Sequence, residues 1–239
     1  MKRNVSLEEI SDGRLYGWND MVKADCHGCN GCHKCCTGMG NSVILDPYDA
    51  KRLTEGLGVG LQQLLAEGKL ELQVVDGCIL PNMKMTGPEE ACAFLDADGR
   101  CGIHRYRPGI CRLFPLGRYY ADGDFRYFLQ VGECAEKNPS KVKVEKWIDM
   151  AERGRHHDFL CNWHYLLNDV EEAVKGQEDS EFARKINMVL LQLFYFMTYE
   201  EDFYDDFSSR VDEFRETFLT WTGDRRENVR QGNDRREND

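Results

Sequence analysis

The sequence lacks any long apolar run. Its most hydrophobic stretch, Val189 to Met197, has about half the length that a helix needs to cross a bilayer. The first ten residues include Lys2 and Arg3 but no apolar segment after them, which argues against a signal peptide. We therefore expect no transmembrane helix and a cytoplasmic location.

The sequence also lacks an excess of basic residues. Its 31 lysines and arginines are outnumbered by 42 acidic residues, which gives a formal net charge of −11 and a pI near 5.1. Such a surface repels the phosphates of nucleic acids and of anionic membranes, so neither is an expected partner. A protein partner or protein substrate stays open, and so does the oligomeric state.

Cysteine, by contrast, is abundant. Eleven cysteines in 239 residues without an export signal are typical of reduced thiolates that bind metal and not of a disulfide framework. Five of them lie between Cys26 and Cys36. The Cys-x-x-Cys turns in this stretch, in which Gly28 and Gly31 allow the backbone to bend, let pairs of thiolates converge on a metal ion.

Cys35 and Cys36 are adjacent in this stretch. Neighbouring side chains usually diverge, so we expect these two thiolates to serve different metal atoms or two faces of one cluster. This expectation favours an iron–sulfur cluster, or two metal sites, over a single structural zinc ion.

Three β-hairpins are predicted in the middle of the chain. Each combines short apolar runs around a turn with Asp and Gly: 70–75 with 78–80, 92–95 with 100–103, and 116–120 with 125–131. The second hairpin would bring Cys92 and Cys101 together as a chelating pair. Two prolines hold the residues before them extended around Cys111, and the third hairpin leads to Cys134.

The apolar spacing becomes helical from about Lys143. We therefore predict an α+β fold, in which a small cysteine-rich metal-binding lobe with short hairpins and helices is followed by an antiparallel helical C-terminal region. The predicted domains are a cysteine-cluster metal-binding domain at residues 1–140, a helical region at residues 141–223 and a disordered charged tail at residues 224–239.

The order of the cysteines separates this chain from two known cluster motifs. Compared with the bacterial ferredoxin run, Cys29-x-x-Cys32-x-x-Cys35-Cys36 lacks three residues and a proline around its fourth cysteine. The Cys-x3-Cys-x2-Cys spacing of radical enzymes is absent as well.

A different pattern does match over about residues 24–136. The run Cys29-x-x-Cys32-x-x-Cys35-Cys36 is followed by Cys92, Cys101, the segment Arg107-Pro108-x-x-Cys111-Arg112-x-Phe-Pro115 and Cys134. This order resembles the YkgJ-type cysteine-cluster family, a zinc- or iron-chelating CxxCxxCC domain that includes flagellin N-methylases. The resemblance implies eight chelating residues: Cys29, Cys32, Cys35, Cys36, Cys92, Cys101, Cys111 and Cys134. Cys26 departs from the pattern, because it adds an overlapping Cys-x-x-Cys register.

Several residues near these cysteines could take part in metal binding. His27, His33 and His104 could replace a thiolate as ligands, although flanking histidines are more often exposed. Arg107 and Arg112 could offset the negative charge of a thiolate-ligated centre, the alternative being that they are solvent-exposed.

Four residues elsewhere have a simpler interpretation. Cys78 and Cys161 are isolated in apolar surroundings and are interpreted as buried small hydrophobic residues. His156 and His157 lie among charged residues of a predicted helix and are interpreted as surface residues.

Three functions remain open at this point. The first is a cysteine-ligated iron–sulfur protein, with a [4Fe–4S] or another cluster, that has a redox or cluster-dependent role. The second, by resemblance to flagellin N-methylases, is an S-adenosylmethionine-dependent protein lysine N-methyltransferase. The third is a structural zinc-binding interaction module. Whether the protein is an enzyme stays open, because no catalytic residue can be assigned from the sequence.

Overall fold

The computed structural model describes residues 6–26, 32–134, 138–177, 180–200 and 202–234, with side chains up to residue 223. The helices are α1 (Leu7–Ile10), α2 (Pro47–Leu57), α3 (Leu61–Ala66), α4 (Gly109–Leu113), α5 (Val144–Ile148), α6 (Arg153–Val174), α7 (Glu181–Leu191) and α8 (Phe203–Asp234). The strands are β1 (Met21–Asp25), β2 (Leu70–Val75), β3 (Cys78–Met83), β4 (Met85–Thr86), β5 (Ala91–Cys92), β6 (Leu116–Ala121), β7 (Asp124–Leu129) and β8 (Ser140–Lys143). The mixture of helices and strands confirms the α+β prediction.

The strands form four antiparallel pairs, β1–β8, β2–β3, β4–β5 and β6–β7. In β2–β3 the pair Val75–Cys78 flanks a two-residue turn in which Asp76 and Gly77 both have positive φ, 49° and 79°. Positive φ at both turn positions matches the right-handed twist of the strands, which is why Asp-Gly predicted this hairpin correctly. The β6–β7 hairpin also has the predicted turn, at Asp122 and Gly123.

The second predicted hairpin is present in a shortened form. Leu95 bridges Cys101, and the Asp96 and Gly102 N–H groups donate to the carbonyls of Arg100 and Phe94, each at 2.9 Å. Cys92 itself pairs with Met85 of β4. The N–H of Leu95 donates to the carbonyl of Cys92 at 2.8 Å, so the chain turns between these two pairings.

Helix α2 begins at two residues that favour a helix start, Asp46 and Pro47. The Asp46 side chain accepts a hydrogen bond from the Asp49 N–H at 2.8 Å, and Pro47 occupies the first helical position. The helix continues through Gly56 and ends at Gly58, which has a φ of 69°. Gly56 lies inside the helix. A side chain at this position would clash with the ring of Tyr106.

The C-terminal helical region packs on the rest of the chain through aromatic side chains. Trp163 of α6 contacts Phe194 and Phe207 edge-on, with centroids 5.1 and 6.3 Å apart. Asn187 of α7 accepts from the Ile79 N–H at 2.6 Å and so links α7 to the β2–β3 hairpin. Residues on both sides of residue 140 therefore contribute to one hydrophobic core.

Helix α8 continues to Asp234, whereas the sequence predicts a disordered tail from residue 224. The difference has a physical reason, since Arg, Glu and Gln favour helix even without apolar neighbours. In the described part of the chain, no helix is sufficiently long and apolar to cross a membrane.

Candidate metal centre

Four separate elements carry the cysteines that meet in this structure. A single 3₁₀ turn, Lys34–Cys36, carries Cys35 and Cys36, β5 carries Cys92, and α4 carries Cys111. Cys101 follows the turn closed by its bridge to Leu95. Since these elements are short, the site depends on contacts between them more than on any one element.

Backbone hydrogen bonds connect the first two elements. Thr37 bridges Ala91, and the Gly38 N–H donates to the carbonyl of Glu90 at 3.1 Å. These bonds fix the 3₁₀ turn next to β5. They bring Cys35 and Cys36 to the same place as Cys92, which follows Ala91 directly.

Electrostatic interactions connect all five thiols. Cys35 interacts with Cys92, Cys101 and Cys111, and Cys36 interacts with Cys101 and Cys111 as well as with Cys35. Each interaction raises the pKa of the affected thiol, because a second negative charge nearby is unfavourable. The structure thus places Cys35, Cys36, Cys92, Cys101 and Cys111 near one another, although among the described residues no three of their Sγ atoms lie within 4.8 Å of one another.

The adjacent pair is the closest contact in this cluster. The Sγ atoms of Cys35 and Cys36 are 3.9 Å apart. Their shared hydrogen bond lowers the pKa of Cys35, with a smaller favourable contribution from Arg107, and raises the pKa of Cys36.

Burial dominates the other three thiols. It raises the pKa of Cys92, Cys101 and Cys111, and the effect is large for Cys111. A metal ion that displaces these protons would supply the positive charge that the buried thiolates lack. The donor set therefore fits a thiophilic metal such as zinc or iron.

The remaining predicted ligands are placed differently. Cys29 and the alternative ligand His27 lie outside the described residues. Cys32 is exposed, whereas Cys134 and the extra Cys26 are half-buried. An added Cβ at Gly99 would lie 3.1 Å from the Nδ1 of His33, so this histidine lies against the turn that precedes Cys101.

The two arginines singled out from the sequence have different surroundings. Arg107 interacts with Cys35 and Cys101 and also lowers the pKa of His104, which burial lowers more strongly. Arg112 instead interacts with the carboxylates of Asp46 and Asp49. A direct role at the thiolates is thus supported for Arg107, while Arg112 faces the start of α2.

Asp49 positions the helix that carries Cys111, a role that the sequence did not indicate. Its carboxylate accepts a hydrogen bond from the Gly109 N–H at 2.7 Å, and the residue is only 3% exposed. Burial, with a contribution from Asp46, raises the pKa of Asp49 to about 8. From the sequence alone, Asp49 is only an acidic residue in the first turn of α2.

Outside the centre, the four simple interpretations have different outcomes, and His157, interpreted as a surface residue, is half-buried. Cys78 is buried, as predicted, and its Sγ lies 3.9 Å from the carbonyl oxygen of Leu167. Cys161 is only half-buried and contacts His157. His156 is 3% exposed, because it packs among Tyr48, Phe159 and Tyr204.

The thiols come from a turn, a strand and a helix, and they lie near one another at one half-buried place. Such a set of donors is typical of a metal-chelating cysteine cluster. Residues 28–138 match the model of the CxxCxxCC family, which is described as a zinc- or iron-chelating domain. The resemblance of the cysteine order to a CxxCxxCC domain is therefore confirmed over these residues, which make up less than half of the chain. Neither the search of curated proteins nor the search of solved structures gives a match.

Proposed function

We propose that this domain holds an iron–sulfur cluster and that the protein has a redox or cluster-dependent role. The proposed ligands come from the eight cysteines of the family pattern, with Cys35, Cys36, Cys92, Cys101 and Cys111 as the group whose mutual interactions the structure describes. The observation that carries the proposal is the half-buried position of these interacting thiols, from which a cluster could exchange electrons with a partner.

The distance between the adjacent thiols does not favour iron in the way that the sequence suggests. Two thiolates on one tetrahedral metal atom with bonds of about 2.3 Å are roughly 3.8 Å apart. The observed 3.9 Å between Cys35 and Cys36 fits this spacing. The two can therefore share one metal atom, and the argument from divergence of neighbouring side chains fails here.

The number of thiols is more informative. A closed structural zinc site uses four ligands, whereas five described cysteines already interact with one another. One zinc ion would leave at least one thiol of the group without a metal, and so would one [4Fe–4S] cluster, which also takes four thiolates. The number of thiols therefore favours two metal centres over one, whichever metal they hold.

Charge is the same for one zinc ion and for one cluster. With four thiolates each, Zn²⁺ and a [4Fe–4S]²⁺ cluster both carry a charge of about −2. Arg107 acts on Cys35 and Cys101, and Lys69 acts on Cys92. These two cations match the charge of a single centre of either kind.

The exposure of the centre fits an exchange of electrons with a partner. Cys35, Cys36, Cys92 and Cys101 are all half-buried. A cluster held by them would lie close to the surface, where a redox protein could approach it. A zinc ion in the same place would have no redox chemistry to offer.

Spectroscopy on matched variants tests this proposal. Protein purified without oxygen should show visible sulfide-to-iron charge-transfer absorption that dithionite bleaches. The Cys111→Ala variant should lose most of this absorption, whereas Cys78→Ala should keep it, because Cys78 is buried away from the centre. Colourless wild-type protein, or equal absorption in both variants, would contradict the proposal.

A further inference from the structure

A second group of possible metal ligands lies where the β6–β7 hairpin meets α6. It consists of Asp124 at the start of β7 and of His157 and Cys161 on α6. The Nε2 of His157 lies 2.8 Å from the Oδ1 of Asp124 and 3.7 Å from the Sγ of Cys161. All three ligand atoms lie within 4.8 Å of one another.

The fold holds these three side chains in place. His157 and Cys161 are four residues apart on a helix, so they share one face. The His157 ring stacks on Phe125 with centroids 4.5 Å apart. The tip of the hairpin is fixed to α6, because the Gly123 N–H donates to the Tyr165 hydroxyl at 2.9 Å.

We propose that Asp124, His157 and Cys161 form a second metal site, selective for Zn²⁺ and separate from the cysteine centre. Tetrahedral zinc with bonds of about 2.0 to 2.3 Å places its N and S ligands about 3.5 Å apart and its N and O ligands about 3.3 Å apart. The observed distances of 3.7 and 2.8 Å need only small side-chain adjustments to match. A water molecule would take the fourth position.

The ligand types define the metal. One thiolate, one imidazole and one carboxylate form a mixed set that zinc accepts, whereas calcium and magnesium prefer oxygen alone. The surroundings are also negative, since Asp124 and Asp158 both act on Cys161. A divalent cation would relieve this charge.

A Cys-His-Asp proton relay is the main alternative, and the geometry argues against it. Such a relay needs the carboxylate on one ring nitrogen of histidine and the nucleophile on the other. Here Asp124 and Cys161 both approach Nε2. Nδ1 is buried and, among the described residues, has no hydrogen-bond partner.

The Nδ1 atom of His157 also determines how tightly the site is expected to bind zinc. Metal binding at Nε2 places the ring proton on Nδ1, where no described acceptor stabilises it. Loss of such a partner typically weakens metal binding by about 10- to 100-fold. The site should therefore exchange zinc at micromolar concentrations, unlike a closed four-cysteine site.

Equilibrium dialysis of the full chain, with its cysteine centre loaded as purified, tests the site. Samples are dialysed against micromolar Zn²⁺, and the zinc gained per chain is measured. Wild type should gain one zinc more than Asp124→Asn, His157→Asn and Cys161→Ser. His164→Asn on the same helix is the matched control and should gain as much as wild type.

Cobalt provides an independent readout. Added Co²⁺ should give a thiolate-to-cobalt charge-transfer band that is lost in Cys161→Ser and weakened in Asp124→Asn. The side chain of Asp124 is 63% exposed, so its variant should fold normally even if the helix variants do not. Equal zinc uptake by wild type and Asp124→Asn, with an unchanged cobalt band, would overturn the site.

Discussion

Replacing Gly56 with alanine tests how the cysteine centre is packed without changing any proposed ligand. Gly56 lies near the end of α2, and an added Cβ would overlap Cγ and Cδ1 of the Tyr106 ring. These atoms lie close to the Tyr106 backbone, so the ring cannot escape by a small rotation of its far end. Tyr106 belongs to the 3₁₀ turn His104–Tyr106, between Cys101 and Cys111. The substitution should therefore push on the segment that joins two cysteines of the centre.

Two opposing terms decide the effect on stability. Overpacking of this kind typically costs about 1 to 3 kcal/mol, whereas replacing glycine by alanine in a helix gains at most about 1 kcal/mol. We expect a net loss of up to about 2 kcal/mol. In a domain of this size that loss lowers the Tm by roughly 4 to 8 °C.

Thermal unfolding followed by circular dichroism measures this loss, and metal content per chain measures its effect on the centre. Gly154→Ala is the matched control, since Gly154 is also helical and an added Cβ there meets nothing within 4 Å. The control should be as stable as wild type or more stable, with full metal content. If Gly56→Ala behaves like the control in both measurements, the packing argument is refuted.

Three further predictions concern the scaffold. Burial raises the pKa of Asp49 to about 8, so folded Asp49 keeps its proton to higher pH than unfolded Asp49, and its contribution to the free energy of unfolding is lost as the pH rises from about 4 towards 8. Asp49→Asn should flatten this dependence of the unfolding free energy on pH, measured by urea unfolding. An unchanged dependence would contradict the assignment. Asn187→Ala should lower the free energy of unfolding by about 2 to 4 kcal/mol, since it leaves the Ile79 N–H and the Gly77 carbonyl without their side-chain partner. A loss below about 1 kcal/mol in urea unfolding would show that water replaces the Asn187 side chain. Removing the metal with a chelator should disorder the segments that carry the cysteines but spare most of the far-UV helical signal, since Trp163 of α6, Phe194 and Phe207 of α8 pack against one another. Equal loss of both would contradict the predicted division at residue 140.

Local signals in the sequence account for the parts of the fold that were predicted correctly. Asp76-Gly77 specifies a two-residue turn, and Asp46-Pro47 specifies the start of a helix, so both elements follow from neighbouring residues alone. Ser180 likewise accepts a hydrogen bond from the Ala183 N–H at the start of α7.

Contacts that neighbouring residues do not reveal account for the parts that were not predicted. Cys92 pairs with Met85, and only Phe94 to Asp96 pair with the segment around Cys101. His156 is buried although its neighbours in sequence are charged, because tertiary contacts with Tyr48 and Tyr204 surround it. No periodicity in the sequence reports such contacts.

The candidate sites divide in the same way. The cysteine order indicated the proposed ligands of the metal centre through the family resemblance that it carries. The Asp124, His157 and Cys161 group needed the structure. Its only local signal is the four-residue spacing of His157 and Cys161, and the third ligand comes from a hairpin more than 30 residues earlier.

The most direct test of the central claim is the metal content of wild-type protein purified without oxygen. Iron, acid-labile sulfide and zinc are measured on one preparation and expressed per chain. The iron–sulfur proposal predicts iron together with sulfide in comparable amounts. Stoichiometric zinc with neither iron nor sulfide would contradict it and would assign the same cysteines to zinc.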